Sequence, residues 1–182
     1  MGDRKKRVVS IPFVIGILLI LILLGVVFVY YTTASPNINT SNTPSPFANQ
    51  DLNTIVIQEP HITFLLTKMG ALNLRSSGGE NPVIEVVVDD EHFTSEIIQG
   101  DIATEKGPAP NPDIKIITTR DEIINGVKSA DLKSYFRDSF SSGRSRIEKV
   151  AGYSELFSKG YVNLYQDMTG NSFTGSVIRV VE

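Results

Sequence analysis

Cysteine and tryptophan are absent from this chain of 182 residues, and histidine occurs twice. Without thiols there is neither a disulfide scaffold nor thiol chemistry, so whatever domain forms must be held by its core. Catalytic signatures are missing as well. There is no G-x-S-x-G, no H-E-x-x-H, no calcium-loop pattern, no paired zinc ligands and no phosphate-cradling glycine pattern. His61 follows Pro60 and reads as a boundary residue. His92 follows Asp89-Asp90-Glu91. A metal or acid–base role is conceivable there, but acids in a solvated turn between two strands account for the pattern. Ser141-Ser142-Gly143-Arg144 reads as a loop, with no neighbouring base and acid to activate a hydroxyl. A hydrolase is therefore disfavoured, and the expectation is a non-enzymatic chain without cofactor or metal.

Charge is missing over a long stretch: no Asp, Glu, Lys or Arg lies between Arg7 and Asp51. Within it, residues 11–31 form an apolar run that contains sixteen Ile, Leu, Val and Phe residues. As a helix this run spans about 31 Å, close to the roughly 30 Å of bilayer hydrocarbon. Arg4, Lys5, Lys6 and Arg7 precede it. The positive-inside rule then places residues 1–10 in the cytoplasm and exports everything after the span. A cleaved signal peptide is the rival reading, with Thr32-Thr33-Ala34 as its site, but signal h-regions are usually about 7–15 residues. The expectation is one retained transmembrane helix, with the bilayer itself as a partner.

Residues 32–51 are built from Thr, Ser, Asn and Pro and read as a disordered linker. A coil of that length has an r.m.s. span of roughly 24 Å. It carries one N-glycosylation sequon, Asn39-Thr40-Ser41. Residues 52–182 are long enough for one domain with a real core. Setting aside Arg4, Lys5, Lys6, Arg7, Asp3 and Asp51, thirteen cations face eighteen acids, a net charge of about −5. That balance argues against nucleic acid as a partner.

The domain reads as α+β. Pro82–Asp90 has apolar residues on both faces and is expected to be a central strand, with Ala71–Arg75 as a hairpin partner across Ser76–Gly79. Phe93–Ile98, Asp113–Thr119, Arg146–Val150 and Ser176–Val181 are further strands by alternation or β-branched content. Thr119 and Glu122 form a capping box for a helix to about Lys128. Asp131–Phe140 is a second helix. Tyr153–Met168 reads as one long helix with an unbroken apolar stripe and Lys159 on its polar face. His61–Met69 is helix or strand; periodicity leaves both open.

Tyr135, Phe136, Phe140, Tyr153, Phe157, Tyr161 and Tyr165 crowd into the last two helices. They either pack a core or line a concave apolar pocket with hydroxyls at its mouth.

The order of these features resembles the sterol-carrier-protein-2-like lipid-binding domains over about residues 83–168. The resemblance runs through Gly100, Pro112-Asp113-Ile114-Lys115-Ile116, Glu122-Ile123-Ile124, Ser142-Gly143, Arg146-Ile147-Glu148, Gly152 and Leu156-Phe157-Lys159-Gly160-Tyr161. It implies helices laid over a mostly antiparallel sheet, with an apolar tunnel between them for acyl chains or sterols. With Leu132 from the second helix, the expected ligand-contacting residues are Leu132, Tyr135, Phe136, Phe140, Leu156, Phe157, Tyr161, Leu164 and Tyr165. The expected function is membrane-tethered binding of a lipid or other apolar molecule. The alternative is a structural or protein-interaction ectodomain of an envelope complex, with the same fold and a filled core.

Overall fold

The computed structural model describes residues 45–171. The basic N-terminus, the apolar run 11–31, the linker up to residue 44, the Asn39 sequon and the strand expected at Ser176–Val181 lie outside the described residues. Among the described residues no helix is long and apolar enough to cross a membrane.

The chain enters through an arm, residues 45–57, that belongs to the core. The linker expected to reach residue 51 is thereby corrected: Phe47 is buried, with its ring centroid 4.6 Å from that of His61 and 6.0 Å from that of Phe64. One apolar ring among polar neighbours is enough to order a segment once a complementary surface exists. Ile55 and Ile57 are buried beside it. Arg120 pins the arm through its carbonyls, its Nε donating to Ile55 O at 2.9 Å and its Nη2 to Asn53 O at 2.7 Å.

Helix α1 (Glu59–Met69) follows, with proline in its first turn, where no donor is lost, and left-handed Gly70 as its C-cap. Ala71–Asn73 is a short 3-10 turn rather than the expected hairpin strand. The strands are β1 (Val83–Val88), β2 (Glu91–Ile98), β3 (Asp101–Lys106), β4 (Ile114–Thr118) and β5 (Arg146–Lys149), in the order β3-β2-β1-β4-β5. The sheet is mixed. β1/β2, β2/β3 and β4/β5 are antiparallel, and β1/β4 is parallel. β1 is central, as its two-sided apolar pattern requires. β3, exposed and polar, is a strand that apolar content alone does not reveal.

After the β1-β2-β3 meander the chain must pass β2 and β1 to reach β4. Residues 107–112 make that passage over the sheet face turned away from the core. Thr94, which alternates with core-facing Phe93 and Ser95, donates its hydroxyl to Gly107 O at 2.9 Å.

Helix α2 (Arg120–Lys128) is capped by Thr119, whose Oγ1 accepts from Glu122 N at 3.2 Å; the reciprocal half of the expected capping box does not form, because the Glu122 carboxylate is taken by Tyr135, Ser139 and Arg144. Asp131 caps α3 (Leu132–Ser141) in the same way. α4 (Tyr153–Lys159) and α5 (Tyr161–Thr169) replace the single helix expected over Tyr153–Met168. The break is Gly160, at φ +90°. This conformation is strained for any residue with a Cβ, and the apolar periodicity runs straight through it.

The core joins one sheet face (Ile84, Val86, Val88, Phe93, Ile97, Ile114, Ile116) to the helices (Ile62, Leu65, Leu66, Ile123, Phe136, Leu156, Tyr161, Leu164). A cavity between helices and sheet, lined by Ile62, Leu65, Val86, Ile116 and Phe136, measures about 10 Å³. An acyl chain does not fit this space, and the helix–sheet interior is packed.

Candidate functional site

Of the residues expected to contact an apolar ligand, Phe136, Leu156, Tyr161 and Leu164 are buried in that core, and Leu132, Tyr135 and Phe140 pack partly buried against it. Tyr165 lies beside Lys149, whose Nζ stands 5.3 Å from the ring centroid. Phe157 is 62% exposed and Tyr153 56% exposed, their rings stacked at 6.4 Å. The stripe therefore does not converge on an interior pocket: most of it fills the core, and Phe157 faces solvent.

The structure gathers a different group of residues, at the end of the sheet where β1 and β4 begin side by side. Asp113 lies there because Pro112 keeps the preceding backbone extended. Its main chain is held on both sides. The Asp113 N–H donates to Val83 O at 2.8 Å, and Asp113 O accepts from Val150 N at 3.0 Å and Ala151 N at 2.9 Å. This clamps the residue between the ends of β1 and β5 and turns its carboxylate inward. Oδ2 accepts from Val83 N at 2.7 Å and from the Tyr161 hydroxyl at 2.9 Å; Oδ1 accepts from Lys159 Nζ at 2.7 Å. Lys159 Nζ also donates to Glu155 Oε1 at 2.7 Å, with Glu80 Oε2 at 4.0 Å. The side chains of Lys159 and Asp113 are 3% and 4% exposed.

Gly160 explains how two residues so close in sequence meet one carboxylate. In a continuous helix, residues two apart point about 200° away from each other. The left-handed turn at Gly160 ends α4 with Lys159 and starts α5 with Tyr161, so both reach Asp113. This corrects the expectation that Lys159 takes the polar face. Burial alone would release the Lys159 proton, but the carboxylates of Asp113 and Glu155 outweigh it and hold the ammonium above the usual lysine range. Burial, reinforced by the Asp113 charge, pushes the Tyr161 phenol far up, so it remains a neutral donor.

Above this cluster opens a groove of about 690 Å³. Glu80, Glu96 and Glu155 line it with Asn81, Asn111 and Val150. Lys159 is the one cation among the lining residues, and its charge is already matched. The groove is therefore acidic. Tyr153 and Phe157 lie on the same short helix as Glu155.

Two further clusters have local roles. On the outer sheet face, Glu85 is buried; His92 Nδ1 lies 2.7 Å from its Oε1 and Lys115 Nζ 3.1 Å from its Oε2, the latter without hydrogen-bond alignment. Burial would raise the Glu85 carboxyl, but the two basic partners hold it below the usual range. His92 thus sits in a strand, not in the turn expected for it. Asp89 and Asp90 make that turn, and Glu91 pairs with Lys106 at 3.0 Å. Among the described residues no group of His, Asp and Glu is arranged to hold a metal ion. Near the suspected serine loop, Ser139 Oγ links Glu122 Oε2 at 2.8 Å to Ser145 Oγ at 2.9 Å, and Thr118 Oγ1 lies 2.8 Å from Ser145. This buried hydroxyl chain ties α2, α3 and β4 together.

His61 has a consequence for pH. Its Nδ1 accepts the Gln58 N–H at 3.0 Å, which places the proton on Nε2, a buried atom without a partner. Burial depresses its pKa below 6.5. The unfolded chain then binds a proton that the folded chain resists, so stability falls as pH drops below about 6.5. The melting temperature of wild type is expected to decline from pH 7 toward about pH 5, and His61→Leu to flatten that decline. A scan of melting temperature against pH checks it.

No protein-family model and no curated protein sequence matches the chain. Among solved structures it is similar to the stereoselective inverting sec-alkylsulfatase Pisa1 from Pseudomonas sp., at 11% identity and a TM-score of 0.39 over 72% of this chain and 19% of that one. A double mutant of that sulfatase aligns at 12% identity and a TM-score of 0.38, over 65% of this chain and 17% of the other. The chain thus spans less than a fifth of either protein. At this similarity the comparisons assign neither a fold family nor an activity.

The residues missed in the sequence are Asp113, Glu155, Lys159 and Glu80. The one local signal was Lys159-Gly160: a lysine before a glycine inside an apolar stripe marks a helix end, and the lysine at such an end can turn inward.

Proposed function

We propose that this chain is a non-catalytic interaction domain tethered to a membrane by its apolar run 11–31, with the described domain on the outer side. It engages a protein partner through the exposed aromatic pair Tyr153 and Phe157, which lies on the side of α4 opposite Glu155 and the acidic groove. The observation that carries this reading is the buried apolar core between helices and sheet, where a cavity measures about 10 Å³, while two stacked aromatic rings stand in solvent. Exposed aromatics are over-represented where partners bind.

A second reading, binding of an apolar small molecule, is supported by one surface cleft. It holds about 350 Å³ and is lined by Phe64, Val127 and Leu132 together with Lys68, Asp131 and Lys133. That lining suits an apolar chain with a polar head group.

Crosslinking of the full chain in its native membrane separates the two. A discrete adduct with a second protein that is lost in Phe157→Lys, with melting temperature unchanged, supports the interaction domain. A lipid recovered by solvent extraction at about one per chain and lost in Leu132→Asp would overturn it in favour of the second reading.

A further inference from the structure

Lys159 is the only buried lysine among the described residues, and three features around it exceed what an ion pair needs. Its nitrogen is fixed 2.7 Å from Asp113 Oδ1. The other oxygen of that carboxylate, Oδ2, accepts from the Val83 N–H and the Tyr161 hydroxyl, an arrangement that stabilises negative charge building up on it. A second carboxylate, Glu155, touches the same nitrogen at 2.7 Å and reaches the groove, where it is partly exposed. Nucleophile, electrophile, oxyanion donors and proton carrier are thus all present around one carbon.

The geometry points to an intramolecular amide: Lys159 and Asp113 condense with loss of water and join α4 covalently to the start of β4. One ammonium proton passes along the Nζ–H···Oδ1 hydrogen bond, leaving a free amine and a neutral carboxylic acid. The carboxylates of Asp113 and Glu155 favour the ammonium, so this transfer is uphill, and the burial of both side chains lowers its cost by removing two charges together. The amine lone pair attacks Cγ, forming the C–N bond, and the Cγ–Oδ2 π electrons move onto Oδ2, where Val83 N–H and Tyr161 OH hold them. Glu155 takes a second proton from the nitrogen and passes it to Oδ1. The Cγ–Oδ1 bond breaks, the electrons return from Oδ2, and Oδ1 leaves as water into the groove. Of the three ammonium protons, two depart in the water and one stays on the amide nitrogen. Glu155 is regenerated, and no oxidant or cofactor enters.

Position favours the reaction. Groups fixed in contact react with effective molarities of up to about 10⁵–10⁸ M, which lets an otherwise sluggish condensation proceed. Asp113 rather than Glu155 is the acyl partner because its second oxygen carries two donors, the Val83 N–H and the Tyr161 hydroxyl. For a domain without cysteine, the bond supplies a covalent tie between segments 46 residues apart.

Peptide mapping of the full chain, made by cell-free synthesis into lipid vesicles and sampled over time, tests the proposal. The expected result is loss of tryptic cleavage after Lys159 and a branched peptide that joins the Asp113 and Lys159 segments, lighter by one water than its two parts. Lys159→Arg keeps the cation and must abolish the branched peptide. Glu155→Gln is expected to slow its appearance by about 100-fold. Cleavage after Lys159 that stays complete in wild type, with both segments at their unmodified masses, overturns the proposal. So does a water loss confined to the Glu155–Lys159 segment, which would assign the wrong carboxylate. A branched peptide that forms equally fast in Glu155→Gln would remove Glu155 from the mechanism. Thermal unfolding of each variant shows that the fold is retained.

Discussion

Replacing Asp113 by Ala is expected to destabilise the domain by about 3–5 kcal/mol, among the largest effects available from one substitution. The carboxylate is not just one half of an ion pair. It satisfies Lys159 Nζ, the Tyr161 hydroxyl and the Val83 N–H together. Its removal leaves an ammonium buried at 3% exposure with one of its two carboxylates at 2.7 Å gone and the Val83 N–H unmatched, while the Tyr161 hydroxyl keeps Val83 O at 3.3 Å. Glu155 also touches Lys159 Nζ at 2.7 Å, but at 41% exposure it compensates only in part. The drop should appear as a lower urea midpoint at an unchanged slope. Removing both charges, in Asp113→Leu with Lys159→Met, should recover part of the loss, since the desolvation cost of the pair disappears with it. A loss below about 1 kcal/mol for Asp113→Ala would mean that water reaches Lys159 and the cluster is a surface feature. Where Lys159 and Asp113 have condensed, the difference from wild type grows by the contribution of the cross-link.

The second large effect separates two phenylalanines that look alike in the sequence. Phe136→Ala should destabilise by about 3–5 kcal/mol. Its ring is buried against Gly126, where an added Cβ would come within 2.8 Å of Phe136 Cε2, and it contacts Tyr135 edge-on at 5.9 Å. No neighbour can collapse into that space without moving a helix. Phe157→Ala should change stability by no more than about 0.5 kcal/mol, because its ring is mostly in solvent and loses only its stacking on Tyr153. Thermal or chemical unfolding of the two variants side by side checks the contrast. Equal losses would show that Phe157 is buried in solution, and the aromatic stripe would then be continuous.

These two cases also mark how far the sequence can be read. Hydropathy period and capping chemistry are local, and most elements that depend on them stand where they were expected. Thr119 starts α2, Asp131 starts α3, and the two-sided valines of β1 take the centre of the sheet. The polar edge strand β3 was not legible, because an exposed strand needs no apolar alternation. The arm around Phe47 was not legible either: a single ring in a polar stretch has no period, and its order comes from His61, Phe64 and Arg120 elsewhere in the chain. The aromatic stripe was legible as amphipathic but not in its direction, since Gly160 divides it and periodicity carries no information about φ.

By itself, then, the sequence determined an α+β domain, the positions of most helices and strands, the absence of thiol chemistry and the apolar run that precedes the domain. Only the tertiary structure decided that the helix–sheet interior is filled, that Phe157 faces solvent, and that Asp113, Glu155, Lys159 and Tyr161 converge. The reason is separation along the chain. Asp113 meets Val83 across 30 residues, Lys159 across 46 and Tyr161 across 48, and no local pattern encodes which side chains a mixed sheet will bring to the same end.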